Sequence, residues 1–310
     1  MELLMAAPRG FCAGVVRAVD IVDRALEIYG PPIYVKHEIV HNRQVVQRLR
    51  AKGAIFVEDL EEVPPGSRLI FSAHGVPPSD HAAARERGLA VIDATCPLVT
   101  KVHLEAIRFA KQGYFIVYIG HRNHPEPTGT LGEIRFDQGV LVETLDDVDR
   151  LEVPDPERVM VLTQTTLSVD DTAEILARLR ARFPKLRTPP TDDICYATTN
   201  RQAAVKELAR DCDLVLVIGS RNSSNSKRLV EVARAAGARS ELLEDPEQID
   251  PAWLEGVRTV GLSSGASAPD DLVQTAAARL KALGVGSVRE VHTVDEDMFF
   301  PLPKELRPAS

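Results

Sequence analysis

Apolar and polar positions alternate along this chain in a regular order. Short apolar runs, typical of buried strands, alternate with longer segments whose apolar residues recur at helical spacing. Strands are predicted at 33–35, 54–57, 69–71, 90–92, 115–119, 140–142, 159–162, 214–218 and 259–262, after a first strand at the N-terminus. Helices are predicted at 13–29, 43–51, 79–87, 169–182, 199–210, 270–283 and directly after residue 96. This alternation indicates parallel βαβ units.

The order of elements also repeats three times. Each copy places one cysteine between an apolar stretch and an amphipathic helix: Cys12, Cys96 and Cys195. A polar cluster follows each cysteine after 29, 28 and 28 residues, as His41-Asn42, His124-Pro125-Glu126 and Ser223-Ser224-Asn225. A later strand in each copy ends in a polar loop, and these loops contain His74, Thr165 and Ser267. Because functional loops in parallel sheets gather at the carboxyl ends of strands, these residues are the candidate site.

Three thiols that meet at a pseudo-threefold axis would give a metal site three ligands and one open position. A helix N-terminus favours the thiolate, which is the form that binds metal. No histidine lies at zinc-finger spacing, so the pattern favours an iron–sulfur cluster over structural zinc. Three unrelated buried cysteines are the alternative, and the repeat argues against it. Cys212 has no counterpart in the repeat, and we expect it to be structural or partly exposed.

The predicted fold is therefore α/β: three pseudo-threefold-related units with parallel sheets around a central iron–sulfur site. We expect the units at 13–96, 97–194 and 195–283. An N-terminal strand with the first cysteine covers 1–12, and a C-terminal tail at 284–310 is expected to pack on the body.

Composition limits the partners and the cellular compartment that we expect for the protein. The net charge of −8 over 310 residues, without a block of Lys or Arg, argues against nucleic acid or a membrane surface as partner. No apolar run reaches membrane-spanning length, and the N-terminal apolar segment is too short for a signal peptide. The four cysteines are too far apart in sequence to suggest a disulfide framework. We expect the reducing cytoplasm of a bacterium.

Histidines, uncharged hydrogen-bond donors and backbone N–H groups at strand ends can bind a phosphate or diphosphate without a pair of Lys or Arg side chains. The candidates are His41, His74, Ser223, Asn225 and Ser267, although a single histidine at a strand end is more often structural. Glu126 is the one carboxylate in the middle clusters, and it is either a proton donor or a glutamate that favours a helix start. Four other histidines, at 37, 81, 103 and 292, have no support from the repeat.

Longer motifs resemble one family. These are 9–15 (RGFCAGV), 34–42 (YVKHEIVHN), 72–76 (SAHGV), 93–97 (DATCP), 124–126 (HPE), 163–168 (TQTTLS), 192–200 (DDICYATTN), 223–226 (SSNS) and 265–269 (GASAP). Together they are highly specific, span nearly the whole chain, and resemble the LytB/IspH family of 4-hydroxy-3-methylbut-2-enyl diphosphate reductases.

This resemblance implies a reductive dehydroxylation that yields isopentenyl and dimethylallyl diphosphates, the last step of the non-mevalonate (MEP/DXP) pathway. It implies a [4Fe–4S] cluster on Cys12, Cys96 and Cys195, whose fourth iron is open to the allylic hydroxyl. The diphosphate would lie among His41, His74, His124, Ser223, Ser224, Asn225 and Ser267. Glu126 would donate protons, Thr165 would place the hydroxyl or a water, and a ferredoxin or flavodoxin would supply electrons.

Two other classes of function compete with this interpretation. A non-catalytic iron–sulfur carrier or redox sensor explains the cysteines, but it leaves the polar loops and Glu126 without a role. A metal-free phosphate-binding transferase or phosphatase lacks a Walker-type loop and leaves the cysteines idle.

Overall fold

The computed structural model describes residues 1–307, and its helices and parallel strands confirm the predicted α/β class. The strands are β1 (Glu2–Ala7), β2 (Ile33–Lys36), β3 (Ala54–Val57), β4 (Arg68–Phe71), β5 (Ala90–Asp93), β6 (Phe115–Ile119), β7 (Gly139–Val142), β8 (Val159–Thr163), β9 (Leu214–Ile218), β10 (Arg239–Leu243), β11 (Thr259–Ser264) and β12 (Ser287–His292). The α-helices are α1 (Ala13–Tyr29), α2 (Arg43–Ala51), α3 (Pro78–Glu86), α4 (Pro97–Lys111), α5 (Pro125–Gly132), α6 (Leu145–Arg150), α7 (Val169–Arg182), α8 (Tyr196–Asp211), α9 (Ser224–Ala235) and α10 (Asp270–Ala282).

The chain forms two compact units. The first unit contains Met1–Val16, His41–Gln47 and Tyr196–Phe299, and the second contains Arg17–Val40, Arg48–Cys195 and the C-terminal segment from Phe300. The boundary falls inside α1, inside α2 and directly after Cys195. The three-repeat boundaries predicted above stay a prediction.

The first unit has one parallel sheet in the order β10-β9-β11-β1-β12. Successive residues of β1 enter opposite cores: Leu3 packs with α10 residues such as Val273, and Leu4 packs with residues of α8 and α9 such as Leu208. A parallel sheet with apolar residues on both faces requires helices on both faces, and these three helices provide them. The ends of β9, β11 and β1 are therefore neighbours at one edge.

The second unit has two parallel sheets, in the orders β3-β2-β4-β5 and β7-β6-β8. The residues of β6 divide between two cores: Val117 and Ile119 pack with Leu179 of α7, while Ile116 and Tyr118 pack with Val102 of α4. Strand β6, which precedes His124 and Glu126, thus packs against helices on both faces.

The structure confirms most predicted elements and corrects several. Helix α8 begins at Tyr196, not at 199, because burial of Ala197 and Thr198 outweighs the low helix propensity of the threonines and asparagine at 198–200. The pattern did not predict α5, α6, α9, β10 or β12. The last of these, β12, is mostly exposed, so no buried alternation marks it; its pairing with β1 makes it a strand.

The last three residues of the predicted tail, 308–310, lie outside the described residues. In the part of the chain that the structure describes, none of the helices has the length and apolar character needed to cross a membrane.

Candidate functional site

All three repeat cysteines lie where a strand or loop passes into a helix. Cys12 directly precedes α1, Cys96 is the N-cap of α4, and Cys195 directly precedes α8. All three are half-buried, and none forms a disulfide among the described residues. The predicted position of each cysteine at the start of a helix is therefore confirmed.

One backbone hydrogen bond recurs at each of these cysteines. The N–H of Cys12 donates to the carbonyl of Ala266 at 3.1 Å, that of Cys96 to Ala73 at 2.9 Å, and that of Cys195 to Thr165 at 3.0 Å. Each acceptor lies in a late polar loop of the repeat. Each thiol is therefore fixed to a loop that the sequence also marked as functional.

The surroundings of Cys12 affect the ionisation of its thiol in two opposite directions. Burial raises the pKa of its thiol, while the backbone N–H groups of Val15 and Gly14 and the charge of Arg201 act in the opposite direction. These donors face the sulfur at the start of α1 and would stabilise a metal-bound thiolate.

The chemistry of the three repeat cysteines fits an iron–sulfur cluster, because such clusters are held by cysteine thiolates. Across residues 1–307 no group of three His, Cys, Asp or Glu side chains is arranged to bind one metal ion.

The first unit brings together the candidate anion-binding residues. Ser223 is the N-cap of α9, where its Oγ accepts from the N–H of Ser226 at 3.2 Å. Ser267 Oγ donates to the carbonyl of His41 at 2.9 Å, which joins the loop after β11 to the start of α2. Ser224 and Asn225 occupy the buried first turn of α9. Five of the seven predicted diphosphate residues thus belong to this unit.

Asn225 stands out among them. Its side chain is 5% exposed, yet neither its Oδ1 nor its Nδ2 has a hydrogen-bond partner among the described residues. A buried amide without partners is costly, so such a group in a folded protein points to a missing ligand or water. A position for a β-carbon on Gly265 would lie 3.3 Å from Nδ2, which places the amide beside the loop after β11.

The second unit holds the candidate proton donor. Glu126 is 3% exposed, and its two carboxyl oxygens accept from Thr165: Oε2 from the backbone N–H at 2.9 Å and Oε1 from the hydroxyl at 3.0 Å. The sequence predicted both residues but not their direct pairing. A buried carboxyl that holds a hydroxyl in place is suited to moving a proton to a bound molecule.

His124 and His74 lie beside this pair. The Nδ1 of His124, the N-cap of α5, accepts from the N–H of Glu126 at 3.3 Å, so this nitrogen carries no proton. The ring proton is therefore on Nε2, which is then a donor. The ring of His74 packs edge-on against that of His124, with centroids 5.7 Å apart. His74, His124, Glu126 and Thr165 thus form one cluster within the second unit.

Cys212 is buried rather than exposed. Its side chain packs with apolar residues against Gly261, and burial raises the pKa of its thiol to about 12. Of the two predicted alternatives, partial exposure is therefore excluded, and the absence of a ligand role stays a prediction.

The residues that hold the backbone on either side of Cys12 were not predicted from the sequence. Arg201 of α8 is fully buried, pairs with Glu296 at 2.9 Å, and donates to the carbonyl of Gly10 at 2.8 Å. The hydroxyl of Tyr196 accepts from the N–H of Ala13 at 3.2 Å, and burial raises the pKa of Tyr196 to about 12. No local signal reveals these residues, because an arginine in a polar helix and a glutamate in a tail are ordinarily solvated.

Known proteins are similar to this chain along nearly its whole length. The profile of the LytB protein family matches residues 3–281. The chain is 56% identical over 310 residues to 4-hydroxy-3-methylbut-2-enyl diphosphate reductase 2 of Burkholderia mallei, covering 100% of this chain and 94% of the relative. It is 59% identical over 309 residues to the reductase of the same name from Mycolicibacterium paratuberculosis, covering 99% and 93%.

A solved structure is also similar along nearly the full length. The E-1-hydroxy-2-methyl-but-2-enyl-4-diphosphate reductase of Plasmodium falciparum matches with a TM-score of 0.95 and 41% identity, covering 98% of this chain and 96% of that one. A profile match over nearly the whole chain and relatives well above 50% identity lead to one conclusion: this chain belongs to the LytB family.

Proposed function

We propose that this chain removes the allylic hydroxyl of (E)-4-hydroxy-3-methylbut-2-enyl diphosphate, giving isopentenyl and dimethylallyl diphosphates. The reaction consumes two electrons and two protons, breaks the carbon–oxygen bond and releases water. The observation that carries this proposal is family membership over residues 3–281, together with full-length relatives named for this substrate. A solved relative is described as the terminal enzyme of the non-mevalonate pathway, and we assign this chain the same place.

The family is iron–sulfur dependent, and we assign a [4Fe–4S] cluster to Cys12, Cys96 and Cys195. Their helix-start positions, their recurrent hydrogen bond and the lack of a disulfide among the described residues support this ligand set. When bound, the cluster supplies single electrons and a Lewis-acidic iron that makes hydroxide a better leaving group. Cys212 is left out because it is buried among apolar side chains.

We assign diphosphate binding to the predicted donors. In the first unit these are His41, Ser223, Ser224, Asn225 and Ser267, and the unpartnered amide of Asn225 supports the assignment. The start of α9 adds backbone N–H groups that favour an anion. In the second unit, His74 and His124 are the assigned donors; the Nε2–H of His124 is consistent with that role.

Proton delivery is assigned to Glu126, with Thr165 as the hydroxyl that it orients. The Thr165 hydroxyl and the Glu126 carboxyl share a hydrogen bond. A hydroxyl can both accept and donate a hydrogen bond, so Thr165 can receive a proton from Glu126 and pass its own proton to the bound molecule. Burial keeps bulk water away from this pair, so the proton goes to the bound molecule.

The two electrons require a partner. We propose a small one-electron carrier protein such as ferredoxin or flavodoxin, and the cytoplasm as the setting in which it meets the enzyme. The net charge of −8 gives no support to nucleic acid as a partner.

Anaerobic purification followed by turnover tests this function. We expect a brown protein with iron and sulfide that converts the allylic diphosphate with a chemically reduced viologen dye. We expect loss of iron in Cys12→Ser, Cys96→Ser and Cys195→Ser. The matched control, Cys212→Ser, should keep its iron. A colourless, iron-free protein would contradict the proposal, and a brown protein that does not turn over the diphosphate would indicate an electron carrier instead.

A further inference from the structure

A buried histidine outside the assigned site contacts two of its segments. His103 lies on the inner face of α4 and is 7% exposed. Its Nδ1 donates to Oε1 of Glu133 at 3.0 Å, and its Nε2 has no hydrogen-bond partner in residues 1–307. The repeat pattern does not mark His103, because this residue has no counterpart in the other repeats.

The ring of His103 fills a space that two glycines leave open. A β-carbon on Gly75 would lie 3.1 Å from Cε1 and Nε2 of the ring, and one on Gly129 would lie 3.0 and 3.1 Å from the same atoms. Both distances are tighter than ordinary carbon contacts. Gly75 has a φ of +78°, and Gly129 lies inside α5, where glycine costs about 1 kcal/mol relative to alanine. Both glycines therefore make room for this ring.

These glycines adjoin the assigned site. Gly75 follows His74, and Gly129 lies one helical turn after Glu126 on α5. Glu133, the carboxylate that holds the ring, is the C-cap of the same helix. His103 thus contacts the loop of His74 through its ring and the helix of Glu126 at two points.

We propose that His103 and Glu133 are positioning residues that hold the His74 loop and the Glu126 helix in one arrangement. The proposal rests on the function proposed above, since it deepens the roles given to His74 and Glu126. Acid–base groups lose efficiency steeply when they are displaced, and a misplacement of about 1 Å costs roughly 100-fold in rate. The pair acts through the residues it holds and does not touch the substrate.

The test compares Glu133→Ala with Glu133→Gln in the iron-loaded enzyme. Glutamine keeps the acceptor for His103 Nδ1 and should retain kcat within about twofold, whereas alanine should lower kcat about tenfold. His103→Phe, which keeps a ring but loses the bond, should behave like Glu133→Ala. Leu104→Ala, at the neighbouring and 60% exposed position of α4, is the matched control and should match the wild type.

Hydrogen exchange separates positioning from simple core packing. In Glu133→Ala, amide exchange should rise in peptides covering 72–76 and 124–133 while the Tm and the exchange of the remaining sheets stay as in the wild type. A lowered Tm with unchanged kcat, or no rescue by glutamine, would overturn the proposal. Exchange does not require turnover, so a failure of the proposed function would be seen separately, as an inactive wild type.

Discussion

At the scale of single residues, Glu126 and Asn225 are both buried polar side chains with different surroundings. Glu126 has both oxygens occupied by Thr165, whereas the amide of Asn225 has no partner among the described residues. Hydrogen bonds within the folded protein offset the desolvation cost of a buried polar group that has partners. For a buried polar group without partners, that cost is offset only when a ligand binds. The two residues therefore give opposite predictions for stability and for binding.

Glu126→Gln should retain iron and lower turnover about 100-fold, the typical contribution of a positioned general acid. Glutamine can still accept from the Thr165 N–H, and its amide can donate to the Thr165 hydroxyl, so the fold should tolerate it. Iron content and steady-state rates check this. Glu143→Gln, a half-exposed carboxylate after β7, is the control, and a Glu126 variant as active as this control would remove the proton role.

Asn225→Leu should leave the free protein as stable as the wild type or more so, because it removes a buried group without partners. It should weaken binding of inorganic diphosphate about tenfold or more, since hydrogen bonds to charged groups contribute about 1.5–3 kcal/mol. Thermal unfolding with and without diphosphate measures both effects.

Asn42→Ala is the comparison for Asn225. Asn42 is equally buried, but its Oδ1 accepts from the N–H of Val45 at the start of α2. Its loss should lower stability by about 1 kcal/mol. If Asn225→Leu destabilised the free protein as much, its amide would have a structural partner and not a ligand.

At the scale of elements, the close approach of helix α9 to two strand ends fixes the candidate anion site. Ser226 of α9 is fully buried, and its Oγ would lie 2.2 Å from a β-carbon on Gly219 and 2.1 Å from one on Gly265. These glycines follow β9 and β11. The first turn of α9, which contains Ser224 and Asn225, is held against both strands because neither glycine has a side chain.

Gly265→Ala should destabilise the protein by about 1–3 kcal/mol, the usual cost of overpacking, and should weaken diphosphate binding. Ser226→Ala should relieve this strain, since the Ser226 β-carbon is 3.2 Å from the new methyl group. It should not relieve Gly219→Ala, where that distance is 2.6 Å. Urea unfolding of the single and double variants checks this.

Gly286→Ala is the matched control, because its added carbon would meet only the Met1 carbonyl at 4.0 Å. If Gly265→Ala and Gly286→Ala lowered the free energy of unfolding equally, the close approach of α9 to the strand ends would not be what determines the position of the anion site.

At the scale of the whole molecule, the first unit is assembled from distant parts of the chain. Strand β1 lies between β11 and β12, so the first and the last strands of the chain are neighbours in the same sheet. Glu296, after β12, accepts from buried Arg201 and from the Nδ2 of Asn200, and Arg201 in turn holds the carbonyl of Gly10 beside Cys12. The C-terminal region therefore supports the first cysteine.

Glu296→Ala should lower the free energy of unfolding by about 3 kcal/mol, because it leaves the buried guanidinium of Arg201 without its counter-charge. It should also speed the loss of iron from the purified protein. Denaturant unfolding and timed iron release measure these effects. Asp149→Ala, which breaks the exposed pair with Arg178, should change neither quantity. Iron release at the wild-type rate would show that the Arg201–Glu296 pair does not support Cys12.

The sequence by itself determined the parallel α/β class, most strands and helices, and the placement of each repeat cysteine at a helix start. Those features depend on local periodicity and on neighbouring residues. Tertiary structure alone decided the strand pairing of β12, the Glu126–Thr165 bond and the support that Arg201 and His103 give. It also decided that the Asn225 amide is buried without a partner in residues 1–307. These depend on residues that are distant in sequence, and their burial is set only when the sheets are packed, so no local pattern records them.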